Sequence, residues 1–289
     1  MPVKQQSLSI EEKLQRLQSR LSKMDSLLIA FSGGVDSSFL LAAAALVLRE
    51  KTVALMTVSS ATPPDDERQA LRLAEDLKVP LLKIPHDELT IPQYAANPKN
   101  RCYFCKDSLY TICKREAERL ALHSIADGIN LDDLGDYRPG IQAATEYGIL
   151  HPLVEEGFTK TEIRQGSRIL GLTTWDKPAS PCLSSRIPYG SSITAPMLQQ
   201  IAQGETLLRN NGFKEVRVRH HGKIARIEIA RGDLPTFTTK ATIRSVDQQI
   251  RELGFTIAGL DLGGYRTGVF NENVPTNIHL RPHEQILKK

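Results

Sequence analysis

Short apolar runs alternate with longer amphipathic segments through the first two-thirds of the chain. The apolar runs predict buried strands at 27–30, 52–58, 79–84 and 124–128. Apolar residues at helical spacing predict helices at 10–24, 39–48, 65–78, 105–122 and 159–170. Strands that alternate with helices predict a parallel, doubly wound α/β sheet with helices on both faces and ligands at the carboxyl ends of the strands.

The pattern changes at 175–192, a stretch rich in proline, serine and glycine that we expect to be a linker. Beyond it, the sequence predicts a helix at 194–211 and two strands of alternating polarity around a turn at His221 and Gly222. A helix at 241–253 and a strand at 255–262 follow. We therefore expect a parallel α/β domain at 1–180 and a smaller α+β domain at 190–289.

A phosphate-binding turn is predicted where the first strand meets its helix. Backbone N–H groups at a helix N-terminus bind phosphate, and glycines let the backbone approach it closely. The turn, Ser32-Gly33-Gly34-Val35-Asp36-Ser37-Ser38, has no GxxxxGK[ST] pattern. It instead resembles the PP-loop of the ATP pyrophosphatase superfamily, whose members split ATP into AMP and pyrophosphate. We expect Asp36 to hold Mg²⁺, and the residues expected to bind pyrophosphate are Ser32, Gly33, Gly34, Ser37 and Ser38.

Other residues near predicted strand ends are candidates for the same crevice. Ser59 follows the second strand, and Asp127, Gly128 and Asp132 follow the fourth. Because the carboxyl ends of parallel strands share one edge, these residues are expected close to the phosphate turn. The alternative for the two aspartates is ordinary turn formation by their side chains.

Composition limits the class of protein. The 289 residues carry a formal net charge of +4, with 40% hydrophobic and 24% charged residues, as in an ordinary globular protein. The mild positive charge suits an anionic small substrate and is too weak to argue for nucleic acid. The longest apolar run, 39–48, is too short to span a bilayer, and residues 1–6 lack a signal-peptide pattern. We therefore expect a cytoplasmic protein with no membrane partner.

Four cysteines in such a chain favour reduced thiols, a metal or catalysis over disulfides. Cys113 fits a buried position inside its helix. The other three leave three interpretations open: an iron–sulfur cluster with one open iron, a zinc site completed by His123 or His151, or redox thiols whose pKa a helix start lowers. These three are Cys102 and Cys105, which form a CxxC, and Cys182 in the predicted linker.

Six stretches of the chain share the pattern of one family: 31–37, 97–106, 127–140, 151–153, 160–164 and 177–190. Together they resemble the ATP-dependent sulfur-insertion enzymes that build the nickel-pincer nucleotide cofactor of lactate racemase. The resemblance implies that the substrate is pyridinium-3,5-biscarboxylic acid mononucleotide. Its carboxylates are adenylated by ATP, and AMP and pyrophosphate are released over the whole reaction. Sulfur held by the protein then gives the thiocarboxylates.

The resemblance also implies a source of sulfur. Some members sacrifice a single cysteine at the position of Cys182 and leave dehydroalanine, whereas others bind a [4Fe-4S] cluster through three cysteines. The open iron of that cluster can carry a transferable sulfide. Because this chain has Cys102 and Cys105 besides Cys182, it resembles the cluster type. Relatives assemble as hexamers, so a homo-oligomer is expected, whereas the system that replaces the sulfur is not implied.

Charged residues of the second half are further candidates. Arg217, Arg219 and Arg226 are expected on one face of the hairpin, as a seat for a nucleotide phosphate. Glu228 on that face and Glu205 on the preceding helix could hold a metal or orient a donor. The alternative for these five residues is a solvated charged face.

Arg186 follows Cys182 by four residues and is expected to neutralise the substrate carboxylate, with a surface salt bridge as the alternative. It completes the set of candidate catalytic residues with the three cysteines.

Three other functions compete. A tRNA thiolase should show a basic strip with aromatic residues, yet aromatic residues make up only 6% of this chain. An amide-forming ligase of the NAD or GMP synthase type would need ammonia and no cysteine set. An adenine-nucleotide binding module with a structural zinc would bind ATP without releasing pyrophosphate.

Overall fold

A parallel sheet forms the larger half of the protein, in a computed structural model that describes residues 8–135, 139–178 and 180–266. All four predicted strands are present. The third begins later than predicted, at Leu81, just after Pro80, which has no N–H to donate to a neighbouring strand. In the order β3-β2-β1-β4, the strands are β1 (Leu27–Ala30), β2 (Thr52–Val58), β3 (Leu81–Pro85) and β4 (Ser124–Ala126).

Helices fill most connections in the described part of the chain. The first and eighth begin with the capping boxes that Ser9 with Glu12 and Thr159 with Glu162 form. The helices are α1 (Ile10–Leu21), α2 (Val35–Leu48), α3 (Pro64–Asp76), α4 (Pro92–Ala95), α5 (Arg101–Arg119), α6 (Pro139–Tyr147), α7 (Pro152–Glu155), α8 (Lys160–Ile169), α9 (Ala195–Asn210), α10 (Leu234–Phe237) and α11 (Lys240–Glu252).

The parallel sheet is covered on both faces, as predicted. Leu27 and Ile29 of β1 are fully buried in a core that they share with α1, α2 and α8. Leu28 and Ala30, which alternate with them along the strand, pack into a second core with α5 and α6. Successive residues of a strand point to opposite faces, so two cores on one central strand confirm the doubly wound α/β fold.

A smaller sheet of three strands forms the second half. The hairpin predicted around His221 is present, with β5 (Val216–His221) antiparallel to β6 (Ile224–Ile229). The third strand, β7 (Ile257–Leu260), pairs parallel to β6. Val216 and Val218 are buried in a separate core with residues of α9 and α11. The order α9, β5, β6, α11, β7 confirms the predicted α+β arrangement.

The predicted linker packs more firmly than its composition indicates. Leu183 and Ile187 of this segment are buried with Tyr94 of α4 in a fourth apolar cluster, which Ile193, just beyond the segment, also joins. The side-chain amide of Asn97 donates hydrogen bonds to the carbonyls of residues 187, 188 and 191. These contacts fix the segment after Cys182 against the start of α5. Among the described residues, no helix is both long and apolar enough to cross a membrane.

Candidate active site

A cavity of about 450 Å³ opens at the carboxyl ends of the parallel strands. Such a position is where α/β folds of this kind bind ligands. The strand ends, the first turn of α5 and the segment around Cys182 all contribute to its lining. Nine predicted site residues line it: Ser32, Asp36, Ser37, Ser59, Cys102, Cys105, Asp127, Gly128 and Cys182.

The phosphate turn has the geometry of an open anion site. Gly33 has φ of +69°, which only glycine adopts readily. Gly34 caps α2 without any side-chain hydrogen bond to the first N–H groups of that helix. The hydroxyls of Ser32 and Ser37 lie 3.1 Å apart, while Ser38 is fully buried and its hydroxyl has no partner among the described residues. The turn therefore offers backbone donors and a helix dipole to a phosphate.

Asp36 has one carboxylate oxygen engaged and one without a partner. Its Oδ2 forms an ion pair with the ammonium of Lys160 at the start of α8. Its Oδ1 is buried and accepts no hydrogen bond from the described residues. A buried carboxylate oxygen without a donor beside a phosphate turn fits a Mg²⁺ ligand.

Asp132 lies outside the cavity lining. It is exposed, and its Oδ2 accepts a hydrogen bond of 2.6 Å from the backbone N–H of Lys160. It therefore satisfies the first N–H of α8, beside the Thr159 cap, and positions the lysine that pairs with Asp36. This contact joins residues 28 positions apart and is not the local turn that was the alternative for Asp132.

Asp127 is the most densely bonded carboxylate of the site. Its oxygens accept hydrogen bonds from the Tyr110 hydroxyl at 2.6 Å and the Ile129 N–H at 3.1 Å, and one lies 2.8 Å from His151 Nδ1. Burial alone would raise the pKa of Asp127, but the hydrogen bond and charge of His151, with Lys106, outweigh it and lower this pKa to about 2. Asp127 is therefore a fixed negative charge in the cavity wall.

The three candidate cysteines share the cavity but differ in exposure. Cys102 is exposed, whereas Cys105 and Cys182 are partly buried. Burial raises the pKa of Cys105, and the nearby Cys182 and Glu88 raise it further. The lowered pKa expected of a thiol at a helix start is thus wrong for Cys105, because burial disfavours the charged thiolate.

A buried cation lies beside the cysteines. Arg101 is only 3% exposed and donates hydrogen bonds to Asn97 Oδ1 and the carbonyl of Ser184. Burial would lower the pKa of Arg101, but the charges of Cys182 and Cys102 outweigh this effect and raise that pKa overall. A guanidinium held in this way stabilises negative sulfur. Cys113 is fully buried in the core, as predicted.

Arg186 does not lie where a substrate carboxylate could reach it. It is fully buried and forms an ion pair with Glu205 of α9, at 2.8 Å between Nε and Oε1. Its guanidinium also donates to the carbonyls of Pro181 and Cys182. The expected role at the substrate and the surface alternative are both wrong, since Arg186 and Glu205 instead hold the segment that carries Cys182.

The charged face of the hairpin is mostly buried, since Arg217, Arg219 and Glu228 are buried and Arg226 is partly exposed. The strand register puts Arg217 opposite Glu228 and Arg219 opposite Arg226, on one face as predicted. Arg219 binds both oxygens of Glu228 at 2.9 Å, and its other nitrogen donates to the carbonyl of Ser185. Arg217 lies over the Tyr265 ring at 4.9 Å. A phosphate seat on this face stays a prediction.

Neither candidate histidine lines the cavity with the cysteines. His151 is buried against Asp127, and His123 lies 3.2 Å from the Ser26 hydroxyl. In the described part of the chain, no group of three or more His, Cys, Asp or Glu side chains is arranged to hold a metal ion. The zinc interpretation gains no support from this geometry.

Sequence reasoning missed several residues of the cavity wall. Lys106 follows the CxxC directly, and its ammonium lies 5.2 Å from the centre of the Tyr110 ring and 4.0 Å from Asp127. Glu88 and Tyr94 come from a connection with no recognisable motif, and the Tyr94 hydroxyl shares a hydrogen bond of 2.6 Å with Ser184. Only Lys106 could have been found, from its position beside the cysteines.

Comparisons with known proteins agree with this architecture. The NAD synthase family matches residues 4–101. An uncharacterized protein of Synechocystis is 42% identical over 91% of the chain and 98% of its own length. The pyridinium-3,5-bisthiocarboxylic acid mononucleotide synthase of Lactiplantibacillus plantarum is 35% identical over 92% of the chain and 96% of its own length. An uncharacterized protein of Methanocaldococcus jannaschii is 29% identical over 89% and 98%.

A phosphate turn of this kind and a long match to a named synthase lead to one conclusion. The chain belongs to the pyridinium-3,5-bisthiocarboxylic acid mononucleotide synthase family of ATP-dependent sulfurtransferases, with an NAD synthase-type nucleotide domain.

Proposed function

We propose that this protein adenylates the carboxylates of pyridinium-3,5-biscarboxylic acid mononucleotide and converts them to thiocarboxylates. The observation that carries the proposal is that the phosphate turn and Cys102, Cys105 and Cys182 line a single cavity. An activated carboxylate formed at the turn would then meet sulfur without leaving the protein. The relative from Lactiplantibacillus plantarum is named for the bisthiocarboxylic product of such a reaction.

In the first step, a carboxylate oxygen of the substrate attacks the α-phosphorus of ATP, and pyrophosphate leaves. The N–H groups of the turn and of α2 would hold the pyrophosphate, and the unpartnered oxygen of Asp36 would bind Mg²⁺. Lys106 lines the same cavity and would stabilise the negative charge that develops on the α-phosphate. Asp127 holds that ammonium in place by its fixed charge.

In the second step, sulfur attacks the carbonyl carbon of the acyl adenylate. The C–O bond to AMP breaks, and AMP leaves with the original carboxylate oxygen. Sulfur delivered as sulfide gives the thiocarboxylate directly. If the attacking atom is Sγ of Cys182, a thioester forms, and loss of the Cα proton with cleavage of the Cβ–Sγ bond releases the thiocarboxylate and leaves dehydroalanine. Arg101 would stabilise the anionic sulfur before attack, because its buried guanidinium interacts with Cys182 and Cys102. A second round on the other carboxylate needs the same residues and a further sulfur atom.

The three cysteines fit a [4Fe-4S] cluster in the chemistry of their donors. They supply three soft sulfur ligands around one cavity, next to a buried cation that offsets the negative charge of the cluster. Their side chains must move together on binding, since no metal-ready group exists among the described residues. Bound there through Cys102, Cys105 and Cys182, the cluster would supply sulfur for transfer.

The assignment of Cys182 is tested by separating the two steps. Cys182→Ala should abolish thiocarboxylate formation but leave substrate-dependent pyrophosphate release. Cys113→Ala is the matched control, because Cys113 is buried in the core away from the cavity, and it should retain both steps. Sulfur transfer retained in Cys182→Ala would overturn the assignment.

The source of sulfur is tested by counting iron. Anaerobically reconstituted wild-type protein should bind about four irons with matching acid-labile sulfide, and Cys182→Ala should lose them. If neither protein binds iron, Cys182 is the sacrificial donor instead. Mass spectrometry after turnover would then find the loss of hydrogen sulfide at that residue.

Amide formation is the closest competing chemistry, since the NAD synthase match covers residues 4–101. That match ends one residue before Cys102, so the cysteine-bearing segments lie outside it. Amide production from ammonium by a variant without cysteines would favour the ligase. The hexameric assembly and the domain division near 180–190 stay predictions.

A further inference from the structure

An ion pair between Lys177 and Asp66 joins the phosphate turn to the segment that leads to Cys182. The ammonium of Lys177 donates to the carbonyl of Gly33 at 2.9 Å and lies 3.1 Å from Asp66 Oδ1. The other oxygen of Asp66 accepts a hydrogen bond of 2.6 Å from the Ser180 hydroxyl. The side chains of Lys177 and Asp66 are only 11% and 13% exposed, so solvent screens this contact little.

The contact at Gly33 affects the phosphate site directly. The carbonyl of Gly33 and the N–H of Gly34 belong to the same peptide unit. An ammonium on the carbonyl oxygen draws electron density from that unit and makes the N–H of Gly34 a stronger donor. Within the described residues, that N–H has only a long hydrogen bond of 3.4 Å, to Ser32 Oγ. This N–H is therefore available to donate a hydrogen bond to a bound phosphate.

Other residues also hold the segment, both before and after Cys182. Arg164 of α8 donates to the carbonyls of Trp175 and Lys177. Beyond Cys182, the N–H of Leu183 donates to the carbonyl of Ala61 at 2.9 Å. The side chain of Lys177 thus connects a fixed point of the segment to the phosphate turn, five residues before the cysteine.

We infer that Lys177 is a positioning residue that couples occupancy of the phosphate turn to the order of the segment that carries Cys182. The inference rests on the nucleotide site of the proposed function. A phosphate that accepts a hydrogen bond from Gly34 strengthens the bond between Lys177 and Gly33, and the stronger bond tightens the segment through Asp66 and Ser180. Since coupling free energies are reciprocal, Lys177 must equally raise the affinity of the turn for phosphate.

Hydrogen exchange with mass spectrometry tests the coupling on the full-length protein without iron. The exchange of peptides covering 182–186 is measured with and without saturating magnesium pyrophosphate, and saturation is checked for each variant by titration calorimetry. Couplings between linked sites typically amount to about 5- to 150-fold. We therefore expect pyrophosphate to slow exchange at least about fivefold in the wild-type protein, and Lys177→Gln to abolish that change and to bind pyrophosphate at least about fivefold more weakly.

Two variants separate coupling from a merely structural role. Lys177→Arg keeps the positive charge and should restore most of the pyrophosphate effect. Lys83→Gln removes a lysine that pairs with Glu67 on the same helix as Asp66, and it should behave as wild type. A purely structural lysine would change exchange equally with and without ligand, and equal slowing by pyrophosphate in Lys177→Gln would overturn the inference. Failure of the wild-type protein to bind pyrophosphate would overturn the nucleotide site and the coupling together.

Discussion

Gly128 is the residue at which a single methyl group should test the phosphate site most directly. A Cβ built on Gly128 would lie 2.7 Å from the backbone nitrogen of Ser37 and 2.9 Å from its Cα. Ordinary contact begins at 3.4 Å, so the first turn of α2 would have to move by about 0.7 Å, the difference between 3.4 and 2.7. Both atoms belong to the backbone of the first turn of α2, which we propose binds phosphate, and no side-chain rotation can relieve the clash.

The cost follows from overpacking a rigid site. Inserting a methyl group where the surroundings cannot yield typically costs about 1–3 kcal/mol. At about 1.4 kcal/mol for each factor of ten, Gly128→Ala should weaken binding of magnesium pyrophosphate by about 5- to 150-fold if α2 keeps its place. If α2 moves instead, the same energy lowers the stability of the protein.

Titration calorimetry with pyrophosphate and chemical unfolding measure the two quantities on the same sample. Gly232→Ala is the matched control, because no atom lies within 4 Å of the position that its added methyl group would take, and it should change neither quantity. Unchanged affinity together with unchanged stability in Gly128→Ala would refute the close packing of Gly128 against α2.

Three further predictions concern charges and hydrogen bonds. The pKa of Asp127 falls from 3.8 to about 2 on folding, so its ionised form stabilises the protein by about 2 kcal/mol above pH 5, and this stabilisation is lost as pH falls toward 2. Urea unfolding should show that the stability difference between wild type and Asp127→Asn falls to about half between pH 7 and pH 3. A difference independent of pH would contradict this prediction. Arg186→Met should cost about 3 kcal/mol, near the lower end for breaking a buried ion pair, because the buried Glu205 loses Arg186 but keeps Arg209 at 3.0 Å. Adding Glu205→Leu should recover part of the loss, and an equal cost in the double variant would show that the charge left on Glu205 is not what destabilises the protein. Tyr94→Phe should cost about 1–3 kcal/mol, because the buried Ser184 hydroxyl loses its partner, and thermal unfolding within error of wild type would rule this out.

The parallel sheet could be predicted because each strand is an apolar run that local pattern alone identifies. The phosphate turn was likewise local, since Ser32 to Ser38 lie together in the sequence. The partners of the charged side chains could not be predicted. Whether Arg186 meets solvent, substrate or Glu205 depends on the packing of α9, which lies in a different part of the chain.

The same limit applies to the cysteines and to the segment between the two sheets. Proline, serine and glycine around Cys182 predicted a linker, yet long-range partners such as Asn97 and Tyr94 give it a buried, bonded structure. The pKa of the Cys105 thiol is raised, whereas a lowered pKa was expected. The helix start that suggested a lower pKa is visible in the sequence, but the burial that raises it depends on the fold.

The contacts that hold the Cys182 segment in place are made to its backbone. Arg186 binds the carbonyls of Pro181 and Cys182, Arg101 that of Ser184, and Arg219 that of Ser185. Every one of these bonds ends on backbone oxygen, and none requires the sulfur atom of Cys182. The backbone around residue 182 should therefore keep its place whether that side chain is a thiol, a thiolate or has lost its sulfur. A protein that has lost this sulfur atom should therefore keep its fold.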